Sequence, residues 1–152
     1  MILKFLNVAL VLIYAAGSGL WVSTGDSWYR SLTAPSWQPP DWVFGTIWPY
    51  NFIVLGIVGW QVISNLGNSW GKVWLSIFAV TIAFALTWAN LFYVKHNIGG
   101  ASIALSLVAF FTVPLLAIAF KTNYKYGLLL TPYQLWVTTA SFLSFSYYKL
   151  NK

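Results

Sequence analysis

Trp42–Ile63 reads WVFGTIWPYNFIVLGIVGWQVI, with no charged side chain from end to end. As a helix it would extend about 33 Å, against a bilayer hydrocarbon core of about 30 Å. Runs of the same kind lie on either side. Leu3–Val22 precedes it, and Val73–Tyr93, Ile98–Phe120 and Gly127–Tyr148 follow, with charges only at their edges. In lipid every backbone N–H and C=O must be paired inside the protein, which leaves helices or a closed barrel. Barrel strands alternate apolar and polar residues, whereas these runs are apolar on both parities. The reading is all-α: a polytopic membrane protein with a five-transmembrane-helix bundle. Its spans cover residues 3–22, 42–63, 73–93, 98–120 and 127–148 of a single membrane domain, 1–152, with an ordered loop at 23–41.

Composition excludes the soluble alternative. Apolar residues make up 59% of the chain and charged residues 7%, whereas water-soluble domains carry about a quarter charged residues. The net charge of +6 is scattered between the apolar runs and forms no basic stripe, so a nucleic-acid partner is not expected. There is no cysteine, which removes disulfides, thiolate metal sites and cysteine nucleophiles. Gly17-Ser18-Gly19 makes a poor cleavage end and the apolar run continues to Trp21-Val22, so the first span is expected to be retained. With five spans, Lys4, Lys72, Lys121 and Lys125 fall on one side and Arg30, Lys95, Lys149 and Lys152 on the other. Four against four gives no orientation under the positive-inside rule.

The inventory of reactive groups is short. His96 is the lone histidine, and Asp26 and Asp41 are the only acids. All three lie outside the spans, so no metal site is expected and His96 reads as a surface loop residue. No ionisable group sits within a span, which argues against proton-coupled transport.

Aromatic residues, 20% of the chain, carry what remains. Residues 23–41, STGDSWYRSLTAPSWQPPD, form the longest connection. Pro35, Pro39 and Pro40 stiffen it into an extended cover, and Trp28, Tyr29 and Trp37 suit headgroup depth. Phe44, Trp48 and Asn51 share one helical face, as do Phe84, Trp88 and Phe92. Singly, each stripe is ordinary helix packing. With Trp136 at the same depth they define a concave aromatic site for a flat apolar ligand, with Arg30 or Lys95 at its rim to meet a carboxylate. Pro114 is expected to kink the fourth span. Gly17/Gly19, Gly56/Gly59 and Ala79/Ala83 permit close helix approach.

The run SLTAPSWQPPDWVFGTIW, Ser31–Trp48, resembles the signature loop of the tryptophan-rich sensory protein family, which in animals includes the mitochondrial translocator protein, or peripheral benzodiazepine receptor. Trp28-Tyr29, Pro35, Trp37, Pro39-Pro40, Trp42, Phe44, Gly45 and Trp48 match its pattern. So do Trp88, Leu91 and Phe92 in TWANLF, and Pro132–Asn151. The resemblance implies five transmembrane helices, a homodimer, a bacterial cell membrane, and a receptor or sensory protein binding tetrapyrroles such as protoporphyrin IX as ligand, with no resident cofactor. It also implies a possible alternative, light-dependent oxidative degradation of protoporphyrin IX, in which Trp48 and Trp136 would be the catalytic residues; passive carriage of porphyrins is a third reading. The residues expected in the ligand pocket are Trp28, Arg30, Trp37, Trp42, Phe44, Trp48, Asn51, Trp88, Phe92 and Trp136. Three positions depart from the pattern. Thr139 stands for the usual Phe, Ser144 for the usual Asn, and Ala34 for a frequent Lys. Ser144 is expected to bond the carbonyl four residues back. A sterol pattern can be written through Leu143, Tyr147 and Lys149, but the family's tyrosine falls at Phe145, so specific sterol binding is not expected.

Overall fold

The run from Asp41 to Ala89 shows how a chain this apolar is packed into a bundle. Straight, its 49 helical residues would reach about 74 Å, more than twice the hydrocarbon core. It does not run straight, because Gly67 adopts φ 81°, ψ −175°, a region open in practice only to glycine. A Cβ placed on Gly71 would lie 2.9 Å from Ile63 Cγ1, so residues equally distant from Gly67 on its two sides face each other. The limbs are antiparallel. The expected link at 64–71 is therefore replaced by helix up to either side of a single glycine.

The computed structural model describes residues 1–152 and is all-α. Its helices are α1 (Ile2–Trp21), α2 (Ser27–Ser31), α3 (Asp41–Ala89), α4 (Ile98–Thr122) and α5 (Tyr124–Leu150), with α3 extended by a π-helical turn at Asn90–Val94. The stretch at 23–41 is thus not extended throughout, since α2 interrupts it. Asn123 alone separates α4 from α5, and its side chain accepts from Lys125 N–H at 2.9 Å. The link is tighter than the expected 121–126 because Gly127 lets Phe120 pack where a Cβ would overlap its ring. α4 continues through Pro114 as one helix; the expected kink does not break it.

Three helical stretches are long and apolar enough to cross a membrane: Ile2–Trp21, Asp41–Val94 and Ile98–Thr122. α5 is long enough but more polar, and its polar groups turn toward α4. Gln134 Nε2 donates to Ala109 O at 3.1 Å, and Ser141 Oγ to Leu105 O at 3.0 Å. Ser144 Oγ meets Ser102 Oγ at 2.9 Å. The expected local bond of Ser144 gives way to this contact because Ser102 is buried opposite it.

Buried Tyr14, Trp74, Phe78, Leu105, Leu115 and Tyr133 belong to the main core. At one end of it the Asn7 carboxamide, fully buried, donates to Gly56 O at 3.1 Å and Leu55 O at 3.4 Å. It accepts from Trp74 Nε1 at 2.9 Å. One side chain of α1 thereby joins both limbs of α3. Further along α1, Tyr14 OH meets Tyr133 OH of α5 at 3.2 Å. Asn7→Ala should destabilise the bundle by about 1–3 kcal/mol, because it strands the Trp74 N–H and two carbonyl contacts in an apolar interior. The loss should shrink in a Trp74→Phe background. Additive losses for the two substitutions in a thermal-unfolding cycle would contradict this coupling.

Candidate functional site

The connection between α1 and α3 is held down at several points. Asp26 Oδ1 accepts from Trp28 N at 2.7 Å and caps α2. Pro35 is buried, and Gln38 N donates to Pro35 O at 3.1 Å. Asn151, just past α5, grips the chain on both sides of Thr33. Its Oδ1 accepts from Thr33 N at 2.8 Å and its Nδ2 donates to Thr33 O at 3.0 Å. Tyr147 OH donates to Gln38 Oε1 and meets Tyr29 OH at 3.4 Å. Trp28 lies flat on His96, with ring centroids 3.8 Å apart and planes 8° from parallel. His96 is exposed, as expected of a loop residue, and its φ of 54° turns it to meet the indole.

Beneath this cover, α3, α5 and the π turn form a cavity of about 220 Å³, open on one side and lined by 14 residues, 11 of them hydrophobic. Phe44 and Trp48 come from the start of α3, and Trp88 from its end. Trp136 comes from the middle of α5, its ring edge-on to Phe44 at 5.1 Å. The π turn supplies consecutive rings, Phe92 and Tyr93, since its wider turn reduces the angle between successive side chains. Val22 and Thr24 close the α1 end. The indole N–H groups of Trp88 and Trp136 are buried without a hydrogen-bond partner in the protein. An unpaired buried donor carries a desolvation penalty of about 1–3 kcal/mol.

Of the residues expected from sequence, Phe44, Trp48, Trp88, Phe92 and Trp136 meet in this cavity. Trp28 is not in its wall but packs edge-on to Phe92 at 5.6 Å, holding the cover in place. Trp37 and Trp42 are 46% and 71% exposed and point away from the cavity. Arg30 is exposed and, like Lys95, is absent from the lining. Asn51 is fully buried but lies outside the lining, and neither end of its carboxamide has a partner.

Tyr29 and Asp41 belong to the connection expected to close the site, whereas Val22, Thr24, Tyr93, Ala140, Leu143, Ser144 and Tyr147 are wall residues that sequence reading did not name. Part of this set had a signal. Trp136, Ala140, Leu143 and Tyr147 recur at helical spacing along α5, so one face carries all four. The tyrosines cluster because α2 and the π turn bring Tyr29 and Tyr93 to within 5.7 Å, and Tyr29 and Tyr147 to within 6.1 Å, between ring centroids. Nothing in their spacing announces that meeting.

Fold and cavity together define an integral, multi-pass membrane protein whose helices hold an aromatic chamber under an ordered connection. The chain belongs to the TspO/MBR family, whose model matches residues 7–149. It is similar to Protein CrtK of Rhodobacter capsulatus, with 31% identity covering 99% of this chain and 95% of that one. It is also similar to Tryptophan-rich protein TspO of Chlorobaculum tepidum, at 34% identity over 90% of this chain and 87% of the relative. The Tryptophan-rich sensory protein of Cereibacter sphaeroides matches at 28% identity, covering 94% and 92%. Bacterial relatives and apolar helices make this an integral bacterial membrane protein.

Proposed function

We propose that the protein is a membrane receptor or sensory protein that binds a tetrapyrrole such as protoporphyrin IX in the aromatic cavity, with a regulatory role in porphyrin or stress responses. The observation that carries this reading is the convergence of Trp48, Trp88 and Trp136 in one cavity. A flat conjugated ring stacks on indole, and each aromatic contact contributes about 0.5–1.5 kcal/mol beyond area burial. Family membership supports the same ligand class, and a sensory role agrees with the name of the Cereibacter sphaeroides relative.

A light-dependent, porphyrin-degrading activity is the second reading. Trp48 and Trp136 share the cavity, so both oxidisable rings would lie beside a bound pigment. On this reading the chain's own contribution is to hold the ring system against these indoles and to limit water's access under the cover.

The membrane arrangement supported best has five spans. Each limb of α3 is long enough to cross, and Gln134, Ser141 and Ser144 of α5 bond to α4 instead of meeting lipid. Gly17 and Gly59 are taken up within the chain, by Leu86 and Asn7. Gly19, Gly56, Ala79 and Ala83 lie free of such packing and would serve a homodimer.

In a fluorescence titration, Trp136→Phe should weaken protoporphyrin IX binding by a few-fold to about tenfold, since it keeps apolar area but loses the indole N–H. Under illumination, a loss of pigment turnover in Trp48→Phe and Trp136→Phe that exceeds their loss of affinity would favour the enzyme reading. Equal losses would favour a receptor, and unchanged affinity in both folded variants would remove the cavity from consideration. Because the chain has no cysteine, single cysteines at its two ends should label from opposite faces; labelling from the same face would refute five spans. Cysteines at positions 79 or 83 should cross-link between copies in bilayers if the dimer forms there, and a monomer in every membrane mimetic would argue against it.

A further inference from the structure

The cavity has a charge pattern that neither its aromatic walls nor the family pattern accounts for. Asp41 is the one charged side chain in the lining, and its remaining non-hydrophobic residues are Thr24 and Ser144. No cation lines the cavity. Asp41 opens α3. It is exposed, which puts its charge at the open side of the chamber. The rest of the wall is apolar and aromatic apart from the hydroxyls of Thr24, Ser144 and the tyrosines. A ligand carboxylate entering here would approach a like charge and shed water without gaining a counter-ion, and an unpaired charge is the costliest group to desolvate. An ester or other uncharged carbonyl meets neither obstacle.

We propose that Asp41 is a specificity determinant, making the cavity favour esterified or otherwise uncharged forms of a flat ring system over the same ring with free carboxylates. The inference rests on the tetrapyrrole reading above and adds the chemical form that the site selects. Asp41 acts on the periphery of the ligand, while the tryptophans act on its ring.

The test compares protoporphyrin IX with its dimethyl ester, titrated against the full-length protein in neutral nanodiscs at low ionic strength. Asp41→Asn should tighten binding of the free acid by about two- to tenfold, as expected for removing one or two like-charge contacts across partly hydrated space. The ester's affinity should stay nearly constant, and Asp41→Glu should keep the wild-type ratio. Added salt should narrow the wild-type difference, since exposed charges are screened. Asp41 makes no capping hydrogen bond through its side chain, so the bundle should tolerate its loss. Asp41→Ser repeats the charge removal should the asparagine variant misfold. An acid-to-ester ratio that is the same in wild type and in the folded charge-removed variant would overturn the role of Asp41 while leaving tetrapyrrole binding intact. Failure of the wild type to bind either compound would overturn the tetrapyrrole reading and this inference together.

Discussion

The buried carboxamide of Asn7 sets the register on which the other contacts depend. In hydrocarbon an amide without partners is expensive, and Asn7 finds its partners on both limbs of α3, at Leu55, Gly56 and Trp74. Satisfying them fixes how far α1 slides along each limb. Gly59 is part of this arrangement, because a Cβ there would overlap the Asn7 side chain. Two turns further along the same face of α1, Tyr14 reaches Tyr133 of α5 and sets its ring edge-on to Trp48 at 6.1 Å. The polar contact at one end of the bundle is thereby linked, through Tyr14, to a tryptophan in the wall of the cavity at the other.

A second constraint comes from α5, which serves two neighbours. Ser141, Ser144 and Gln134 bond to α4, so the helix carries these polar groups without exposing them to lipid. Its other face, from Trp136 through Leu143 to Tyr147, is left to the cavity, and Asn151 beyond its end grips the cover at Thr33. Helix packing, the back wall of the chamber and the anchoring of its lid all depend on where this one helix sits. The chamber that results is apolar and aromatic, with one carboxylate in its lining. Such a lining suits recognition of a ring system by stacking.

The cover shows how local chemistry and tertiary contact divide the work. Pro35, Pro39 and Pro40 restrict the backbone wherever the segment lies. Its seat on the bundle comes from partners more than a hundred residues away in sequence, Tyr147 and Asn151. His96, which sequence reading leaves as a plain loop residue, becomes the platform for Trp28 because the tight turn after α3 holds it in a left-handed conformation.

Much of the fold was legible because lipid imposes strong, local demands. Uncharged runs long enough to cross have to be helical, and the positions of α1, α4 and α5 followed within a few residues. The aromatic wall was legible where helical spacing puts residues on one face, as with Phe44 and Trp48, or Trp88 and Phe92. Asn51 obeyed the same spacing yet lies outside the lining, because a shared helical face says nothing about where along the bundle a neighbouring helix leaves space. The sequence by itself determined an all-helical membrane chain, its aromatic faces and its stiff first connection, since each follows from periodicity, apolarity or proline within a short stretch. Only the tertiary structure decided that α3 reverses at a single glycine, that Tyr29, Tyr93 and Tyr147 gather beside the tryptophans, and that Asp41, with neither Arg30 nor Lys95 beside it, supplies the charge in the cavity wall. Those outcomes depend on packing between distant segments, where interaction energies that no local pattern encodes select one arrangement of the helices.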